Sequence, residues 1–259
     1  PTGFSALCSY GFFAMADRVL TALYPEHAAF GFSRVQHRFV YFSYLNSILR
    51  PDMTVVDLGA GRDKWERIET GYLRTLTRLK GKVAKLIGAD VDEAVLENPV
   101  VDEAVTLRIG ASYPFETGSI DLITSWATLE HIANAEETAR EIERILKPGG
   151  WFCAWTPNKW GYVGMGARLI PNALHQKLLG FFAPKRDEVD TFPTTYRMNT
   201  IRDLKRLFPE SRFEHFSYVH NGPPSYHANK LWLARFWQFY AWATPASMGQ
   251  GLHVFIRKR

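Results

Sequence analysis

Between residues 53 and 156, short apolar segments alternate with segments of helical spacing. The clearest helix is ETAREIERILK (137–147), which ends at a Pro-Gly-Gly sequence that commonly stops helices. Strands that alternate with helices predict βαβ units and a mostly parallel sheet with helices on both faces. The predicted strands are MTVVDLGAG (53–61), KLIGAD (85–90), AVTLRI (104–109), SIDLITSW (119–126) and WFCAWT (151–156).

The segments on either side of this alternation are less regular. Apolar residues recur at helical spacing over 11–24 and 34–49, which predicts two N-terminal helices. We also expect a helix from Lys64. After Pro157 the pattern predicts helices and loops over 160–195, a strand over 212–220, a helix over 230–243 and a last strand over 251–258.

Composition sets loose limits on location and partners. The formal net charge of +5 allows an anionic partner but does not require one. Cys8 and Cys153 are the two cysteines and form no CxxC pair, which favours reduced thiols in a cytoplasmic protein. The first residues lack the pattern of a signal peptide. The apolar run 231–243 is interrupted by Arg235 and is shorter than the roughly 20 residues of a membrane span.

The stretch VVDLGAGRD (55–63) resembles a nucleotide-binding turn between a strand and a helix. The dinucleotide pattern G-x-G-x-x-G is only half met, because Lys64 stands at the third glycine position. A carboxylate at Asp63, near a helix start, would repel a pyrophosphate, whereas a ligand with a cationic α-amino group suits Asp57 and Asp63. The alternative is a tight structural turn without a ligand.

A second acidic residue ends the next predicted strand. Asp90 follows the glycines by about 30 residues, and a carboxylate there can accept hydrogen bonds from both hydroxyls of a ribose. The alternative is a helix N-cap, a position that aspartate also suits. We expect Asp90 to bind the ribose and Asp92 to be the cap.

Five motifs in order resemble those of class I S-adenosylmethionine-dependent methyltransferases. They are VVDLGAG, LIGADVD, YPFETGSIDLITS, LEHI and ILKPGGWFCAWTPNKW, within residues 51–157. The resemblance implies an α/β, Rossmann-like, mostly parallel sheet of seven strands, the last antiparallel. It further implies an N-terminal helical cap over 1–50 and a methyltransferase domain over 51–259, with acceptor-side insertions at about 160–195 and 223–243.

The resemblance also assigns binding positions for the cofactor, S-adenosylmethionine. The stretch RIGASYPF departs from the family because it lacks the acidic residue that often accepts a hydrogen bond from the adenine amino group. Backbone atoms of Gly110 or Ala111 would have to contact the adenine instead. The implied contacts are Asp57, Gly59, Ala60 and Gly61 with the methionine half, Asp90 with the ribose, Val91, Gly110 and Ala111 with the adenine, and Ser125 and Trp126 beside the methyl group.

Three residues are candidates on the acceptor side. His131, just beyond the fourth predicted strand, could serve as a general base if the acceptor is a hydroxyl, or could be a packing or capping residue. Tyr196 and Arg197 lie in a connection that often covers the acceptor pocket in this fold. Arg197 could hold a carboxylate or phosphate through its planar fork, or form a structural ion pair.

The sequence limits the class of methyl acceptor mainly because motifs of some methyltransferase classes are missing. The fourth strand is not followed by [ND]PP[YFW] or by Pro-Cys, which excludes the usual DNA-base methyltransferases, and no RNA-binding appendage is recognisable. We therefore expect O-methylation of a small molecule, sugar or lipid-linked glycan. The aromatic segment 230–243 favours burial, against the fold or in a homodimer, or contact with a membrane surface.

Scattered acids and histidines show no metal-ligand spacing, so we predict no metal. Other histidines, His37, His220 and His227 among them, are expected to be structural or on the surface. Three alternatives remain: a nicotinamide-dependent oxidoreductase on a similar sheet, an RNA methyltransferase, and a non-catalytic subunit with the same fold.

Overall fold

The computed structural model describes residues 18–62, 71–169 and 193–259. The helix predicted from Lys64, together with Asp63, Cys8 and most of the segment 160–195, lies outside these ranges. The described strands join in one sheet and the helices cover both of its faces.

Over the described residues, the sheet contains eight strands in the spatial order β3-β2-β1-β4-β5-β8-β6, with β7 also paired to β8. Neighbours from β3 to β5 run parallel, and β6, β7 and β8 form the antiparallel end. The predicted mostly parallel, Rossmann-like fold is therefore confirmed. The strands are β1 (Thr54–Leu58), β2 (Lys85–Asp90), β3 (Glu103–Thr106), β4 (Ile120–Trp126), β5 (Leu146–Pro157), β6 (Phe213–His215), β7 (Tyr218–His220) and β8 (Gly251–Lys258).

The described residues also contain seven α-helices with defined bounds. They are α1 (His27–Phe30), α2 (His37–Ile48), α3 (Gly71–Thr77), α4 (Ala135–Ile145), α5 (Tyr162–Leu169), α6 (Ile201–Leu207) and α7 (Leu231–Ala243). Residues 18–23 are also helical. In this part of the chain, no helix is long and apolar enough to cross a membrane.

Several boundaries differ from the sequence-based expectation: β5, for example, begins at Leu146 and not at Trp151. Two other differences have a visible cause. The segment 212–220 forms two strands because Phe216 and Ser217 interrupt it: the Ser217 hydroxyl, not a backbone carbonyl, accepts from the Phe255 amide at 3.0 Å. The third strand stops at Thr106, shortly before Gly110, which has a φ of +80°. A turn therefore replaces the expected strand end at 107–109.

Alternating residues of β5 explain how both faces of the sheet are buried. Phe152 and Ala154 belong to a core with α4 and α6, whereas Cys153 faces a second core with α2 and α3. In α4, Ala139, Ile142 and Ile145 form the buried face. A sheet covered on both faces leaves the carboxyl ends of its parallel strands as the edge where a ligand can bind.

The strand order reverses between β1 and β4, because β2 lies on one side of β1 and β4 on the other. The connections that leave these two strands therefore diverge and open a crevice at their carboxyl ends. The glycine loop after β1, Asp90 at the end of β2 and Trp126 at the end of β4 all lie at this edge.

Candidate active site

The loop after β1 depends on its glycines. Gly59 has a φ of +81° and Gly61 a φ of +51°, values that a side chain disfavours. At Gly59 a Cβ atom would stand 2.0 Å from Oγ1 of Thr128, whereas at Gly61 it would meet no atom of the described residues within 4 Å. Gly59 therefore permits a close approach between two loops, and among the described residues Gly61 borders open space.

Asp90 connects the end of β2 to this loop. Its Oδ2 atom accepts from the Gly61 amide at 2.9 Å, and its Oδ1 atom accepts from the Asp92 amide at 3.0 Å. Asp92 in turn caps a short 3-10 helix by accepting from the Ala94 amide, as predicted. The Asp90 carboxylate is thus held at the mouth of the crevice, where the sequence placed a ribose-binding group.

Asn98 is a further loop residue that sequence reasoning missed. Its buried side-chain amide donates to the carbonyl oxygens of Ala60 at 3.2 Å and Gly61 at 3.0 Å. Asparagine in a polar loop carries no sequence signal for this role, because its two acceptors lie more than 35 residues earlier. Asn98 and Asp90 together fix the loop from one side.

Three of the four predicted methionine-side residues, Asp57, Gly59 and Ala60, border a narrow cavity of 80 Å³, and Gly61 is not part of its lining. Trp126 also lines it. Asp57 is half-buried within β1, where it pairs in register with Gly88 and Thr124. The cavity thus extends from the carboxyl ends of β1 and β4 to α3, whose residue Arg74 also lines it.

The residues predicted for the adenine side are open to solvent. Val91, Gly110 and Ala111 are exposed, and Ile109 is exposed over 79% of its surface. The Ala111 amide donates to the Arg108 carbonyl, which closes the turn. An apolar surface is therefore available beside Asp90.

Glu141 and Arg144 of α4 form a clamp on the loop that contains Gly110 and Ala111. The Glu141 carboxylate accepts from the Tyr113 amide at 2.6 Å and from Arg144, whose guanidinium donates to the carbonyls of Tyr113 and Phe115. The hydrogen bond from Arg144 lowers the pKa of Glu141 and outweighs the opposing effect of burial. The clamp thus positions the turn at Gly110 and Ala111 from outside the crevice.

The two residues predicted beside the methyl group have different environments. Ser125 is fully buried, and its hydroxyl donates to the Leu58 carbonyl at 2.7 Å. Trp126 is half-buried and stacks on Trp155 with ring centroids 4.5 Å apart. Phe42 stacks on Trp126 from α2. Trp126 therefore forms an aromatic wall of the crevice, whereas Ser125 joins two strands.

His131 lies in the short 3-10 helix that follows β4. Its Nδ1 atom is 3.1 Å from the Pro193 carbonyl oxygen. Because a carbonyl only accepts, Nδ1 carries the proton in the neutral ring and Nε2 is the basic nitrogen.

Glu130 is a buried acid beside His131 that the sequence analysis did not select. Its Oε1 atom lies 4.0 Å from Nε2 of His131, and its Oε2 atom accepts from the Thr156 hydroxyl at 2.8 Å. Asn199 donates to the same hydroxyl. The Thr156 hydroxyl thus holds the Glu130 carboxylate beside His131.

Of the two predicted acceptor-side residues, only Tyr196 has a described contact with the Glu130 backbone. The amides of Thr195 and Tyr196 donate to the Glu130 carbonyl, and Tyr196 is buried with a φ of +52°. Arg197 is exposed. Tyr196 thus anchors the connection near His131, and Arg197 projects from it.

Comparison with known proteins identifies the family. A family model described as a methyltransferase domain matches residues 28–217. The chain belongs to this methyltransferase family. Its cofactor is S-adenosylmethionine, in agreement with the sequence motifs.

Three similar proteins illustrate the range of the methyltransferase relatives. A probable S-adenosylmethionine-dependent methyltransferase of Mycolicibacterium smegmatis is 33% identical over 39% of this chain, which spans only 40% of that protein. A ubiquinone/menaquinone biosynthesis C-methyltransferase of Laribacter hongkongensis is 26% identical over 70% of this chain and 75% of its own. The crystal structure of a putative methyltransferase from Listeria monocytogenes has a TM-score of 0.50, with 16% identity, 86% of this chain and 98% of that chain covered.

The methyltransferase crevice has the features that the cofactor requires. Open space above Gly61, the Asp90 carboxylate and the exposed apolar surface of Val91 and Ile109 follow one another along the strand ends. Because this order matches an amino acid, a ribose and an adenine, the described residues fit S-adenosylmethionine. When bound, the cofactor supplies an electrophilic methyl group on a sulfonium.

Proposed function

We propose that the protein transfers a methyl group from S-adenosylmethionine to a hydroxyl oxygen of a small molecule, sugar or lipid-linked glycan. The observation that carries this proposal is the orientation of His131. Its Nδ1 atom faces the Pro193 carbonyl, so the basic Nε2 atom can take the proton of an acceptor hydroxyl. Asp57, the glycine loop and Trp126 would hold the methyl donor beside it.

Methyl transfer from a sulfonium mainly requires alignment and exclusion of water. The stacked rings of Trp126 and Trp155 offer an apolar wall for this purpose. Glu130 would stabilise His131 once it has accepted a proton, because the buried carboxylate lies 4.0 Å from Nε2. Tyr196 would position this pair through its backbone, and Arg197 would hold an anionic part of the acceptor.

A second cavity supports an acceptor with an apolar portion. It has a volume of 290 Å³ and is lined by residues of α5, α7 and the loop before β8, among them Tyr162, Trp237 and Gln250. The Gln250 carbonyl accepts from the Asn158 amide, which follows β5 directly. The cavity therefore lies by the carboxyl end of β5, on the side of the crevice where an acceptor would enter.

The helix α7 supports the lipid-linked class in particular. Four aromatic side chains are exposed on one face of it: Trp232, Phe236, Phe239 and Trp242, with exposures of 66%, 51%, 61% and 80%. Arg235 is exposed on the same face. Aromatic rings with an interspersed cation suit the headgroup region of an anionic membrane, so α7 would bring the site to a membrane-embedded acceptor.

C-methylation of a quinone-type ring is the second candidate. It is favoured by the similarity to the ubiquinone/menaquinone biosynthesis C-methyltransferase of Laribacter hongkongensis. The same base could remove a proton from a ring hydroxyl and so activate the adjacent carbon. An apolar side chain on the ring would use the same cavity and helix.

The test is an acceptor screen with an isotopically labelled methyl donor, followed by NMR of the product. Lipid-linked sugars, free sugars and hydroquinones with isoprenoid tails are compared. A new methoxy signal supports O-methylation, and a methyl signal on a ring carbon establishes the second candidate instead. Tight S-adenosylhomocysteine binding without turnover of any acceptor would point to a non-catalytic subunit.

A further inference from the structure

Three histidines that are distant in sequence converge beside Trp155. His37 begins α2, His220 ends β7 and His253 lies within β8. Their ring centroids are 4.9–5.4 Å apart in every pairing, and one ring nitrogen from each lies within 4.8 Å of the others. Such a cluster can place three imidazole nitrogens around one ion.

The outward nitrogen of each ring faces an oxygen atom. Nε2 of His37 lies 3.3 Å from Oε1 of Gln250, and Nε2 of His220 lies 2.8 Å from the Val35 carbonyl oxygen. Nδ1 of His253 lies 3.2 Å from the Tyr218 hydroxyl. Metal-bound histidines usually donate their other N–H to an oxygen in this way, which fixes the tautomer and the ring orientation.

The inward nitrogens of His37 and His253 have nearly the separation that two ligands of a tetrahedral ion have. Nδ1 of His37 and Nε2 of His253 are 3.1 Å apart. Two ligands of a tetrahedral zinc ion, each at about 2.0–2.1 Å, stand roughly 3.3 Å apart. The remaining inward atom, by elimination, is Nδ1 of His220.

Two glycines leave the space that the His37 ring occupies. A Cβ atom at Gly222 would stand 2.5 Å from Nε2 of His37, and one at Gly251 would stand 2.7 Å from its Cε1 atom.

We propose that His37, His220 and His253 bind a Zn²⁺ ion. Three imidazoles suit zinc, and a three-ligand set leaves the fourth tetrahedral position to a water molecule or an acceptor oxygen. The ion would lie beside the 290 Å³ cavity, because Gln250 both contacts His37 and lines it. The proposal does not depend on which acceptor is methylated.

A neutral hydrogen-bonded chain is the competing explanation for the same geometry. A proton on Nε2 of His253 could be donated to Nδ1 of His37, while Tyr218 donates to the other side of His253. Such a chain would need no ion. The two explanations differ in whether the protein takes up metal.

The experiment uses the full chain without a histidine tag, stripped with a chelator and titrated with zinc chloride in a calorimeter. Cobalt absorption spectra report the coordination number in parallel. The expected result is one tight site with a tetrahedral cobalt spectrum. His37→Gln and His253→Gln should lose the site. The matched control His215→Gln should keep it, because His215 contacts the Phe208 carbonyl outside the cluster.

Tyr218→Phe provides a second test of the site in case the histidine variants fail to fold. It leaves all three ligands in place and removes only the oxygen that orients His253, so zinc affinity should fall about 10- to 100-fold. Circular dichroism checks the fold of each variant. If the wild-type chain shows no stoichiometric site, or if the His37 and His253 variants bind zinc as it does, the proposal is wrong and the histidines form the neutral chain.

Discussion

The Asp90 carboxylate accepts a hydrogen bond from the Gly61 backbone amide across a distance of 2.9 Å. The end of β2 is thereby joined to the loop that follows β1. The Asp90 side chain therefore fixes the loop on the methionine side of the crevice and also lies where the ribose would bind. A substitution at Asp90 should weaken cofactor binding both by releasing the loop and by removing the contact with the ribose.

We expect Asp90→Ala to weaken S-adenosylhomocysteine binding by roughly 10- to 100-fold or more, because hydrogen bonds to a charged group each contribute about 1.5–3 kcal/mol. Asp90→Asn should be milder, since its oxygen can still accept from Gly61. Calorimetric titration measures both. Asp52→Ala, an exposed carboxylate outside the crevice, is the control and should bind normally. Equal affinities for wild type and Asp90→Ala would remove Asp90 from the site.

The two loop glycines should respond differently to alanine. Gly59→Ala places a Cβ atom against Thr128 in addition to straining a φ of +81°, so we expect the free energy of unfolding to fall by roughly 2–5 kcal/mol. Gly61→Ala meets no atom of the described residues within 4 Å and should cost about 1–2 kcal/mol, but it should abolish cofactor binding because its methyl group enters the open space.

Denaturant unfolding and S-adenosylhomocysteine titration together separate these outcomes. Adding Thr128→Ala to Gly59→Ala removes the two nearest clashing atoms and should recover part of the lost stability. If Gly61→Ala binds the cofactor as wild type does, the open space beside it does not belong to the binding site.

The strand-and-loop part of the site could be predicted because its chemistry is local. An apolar run ending in glycines, an aspartate after the next strand and a Thr200 that caps α6 are each visible within a few residues. The topology then brings the first two together, since carboxyl ends of neighbouring parallel strands share one edge.

The residues that sequence analysis missed act across long separations. Asn98 reaches carbonyls of the glycine loop, and Glu130 meets the Thr156 hydroxyl only after β4 and β5 have paired. His37 and His253 are 216 positions apart, so no ligand spacing could indicate their contact. The histidine contact depends on the antiparallel end of the sheet, whose pairing the sequence pattern predicted only in outline.

The clamp at Glu141 provides a pH-dependent prediction. Its hydrogen bond from Arg144 lowers the folded pKa below the ordinary value of 4.5, so the unfolded state takes up the proton first as the pH falls. The stabilisation is therefore complete above pH 4.5 and is lost as the pH falls through the folded pKa. Glu141→Gln should cost about 1–2 kcal/mol at neutral pH and nearly nothing under acidic conditions.

Urea unfolding at neutral and acidic pH measures this difference. The matched control is Glu103→Gln, an exposed partner of Lys85, which should lose less at neutral pH. Because the clamp also holds the turn at Gly110 and Ala111, Glu141→Gln should weaken S-adenosylhomocysteine binding modestly. A stability loss that is the same at both pH values would contradict the role of the ionised carboxylate.

The last prediction concerns His131 and requires the acceptor found in the screen. His131→Gln keeps a polar side chain of similar reach but has no basic nitrogen, so kcat should fall by about 100- to 10,000-fold while the Kd for S-adenosylhomocysteine stays unchanged. His215→Gln serves as the control with normal kcat. Glu130→Gln should lower kcat less, because the carboxylate only supports the charge on His131. A His131→Gln enzyme with full activity would show that the acceptor loses its proton to another group.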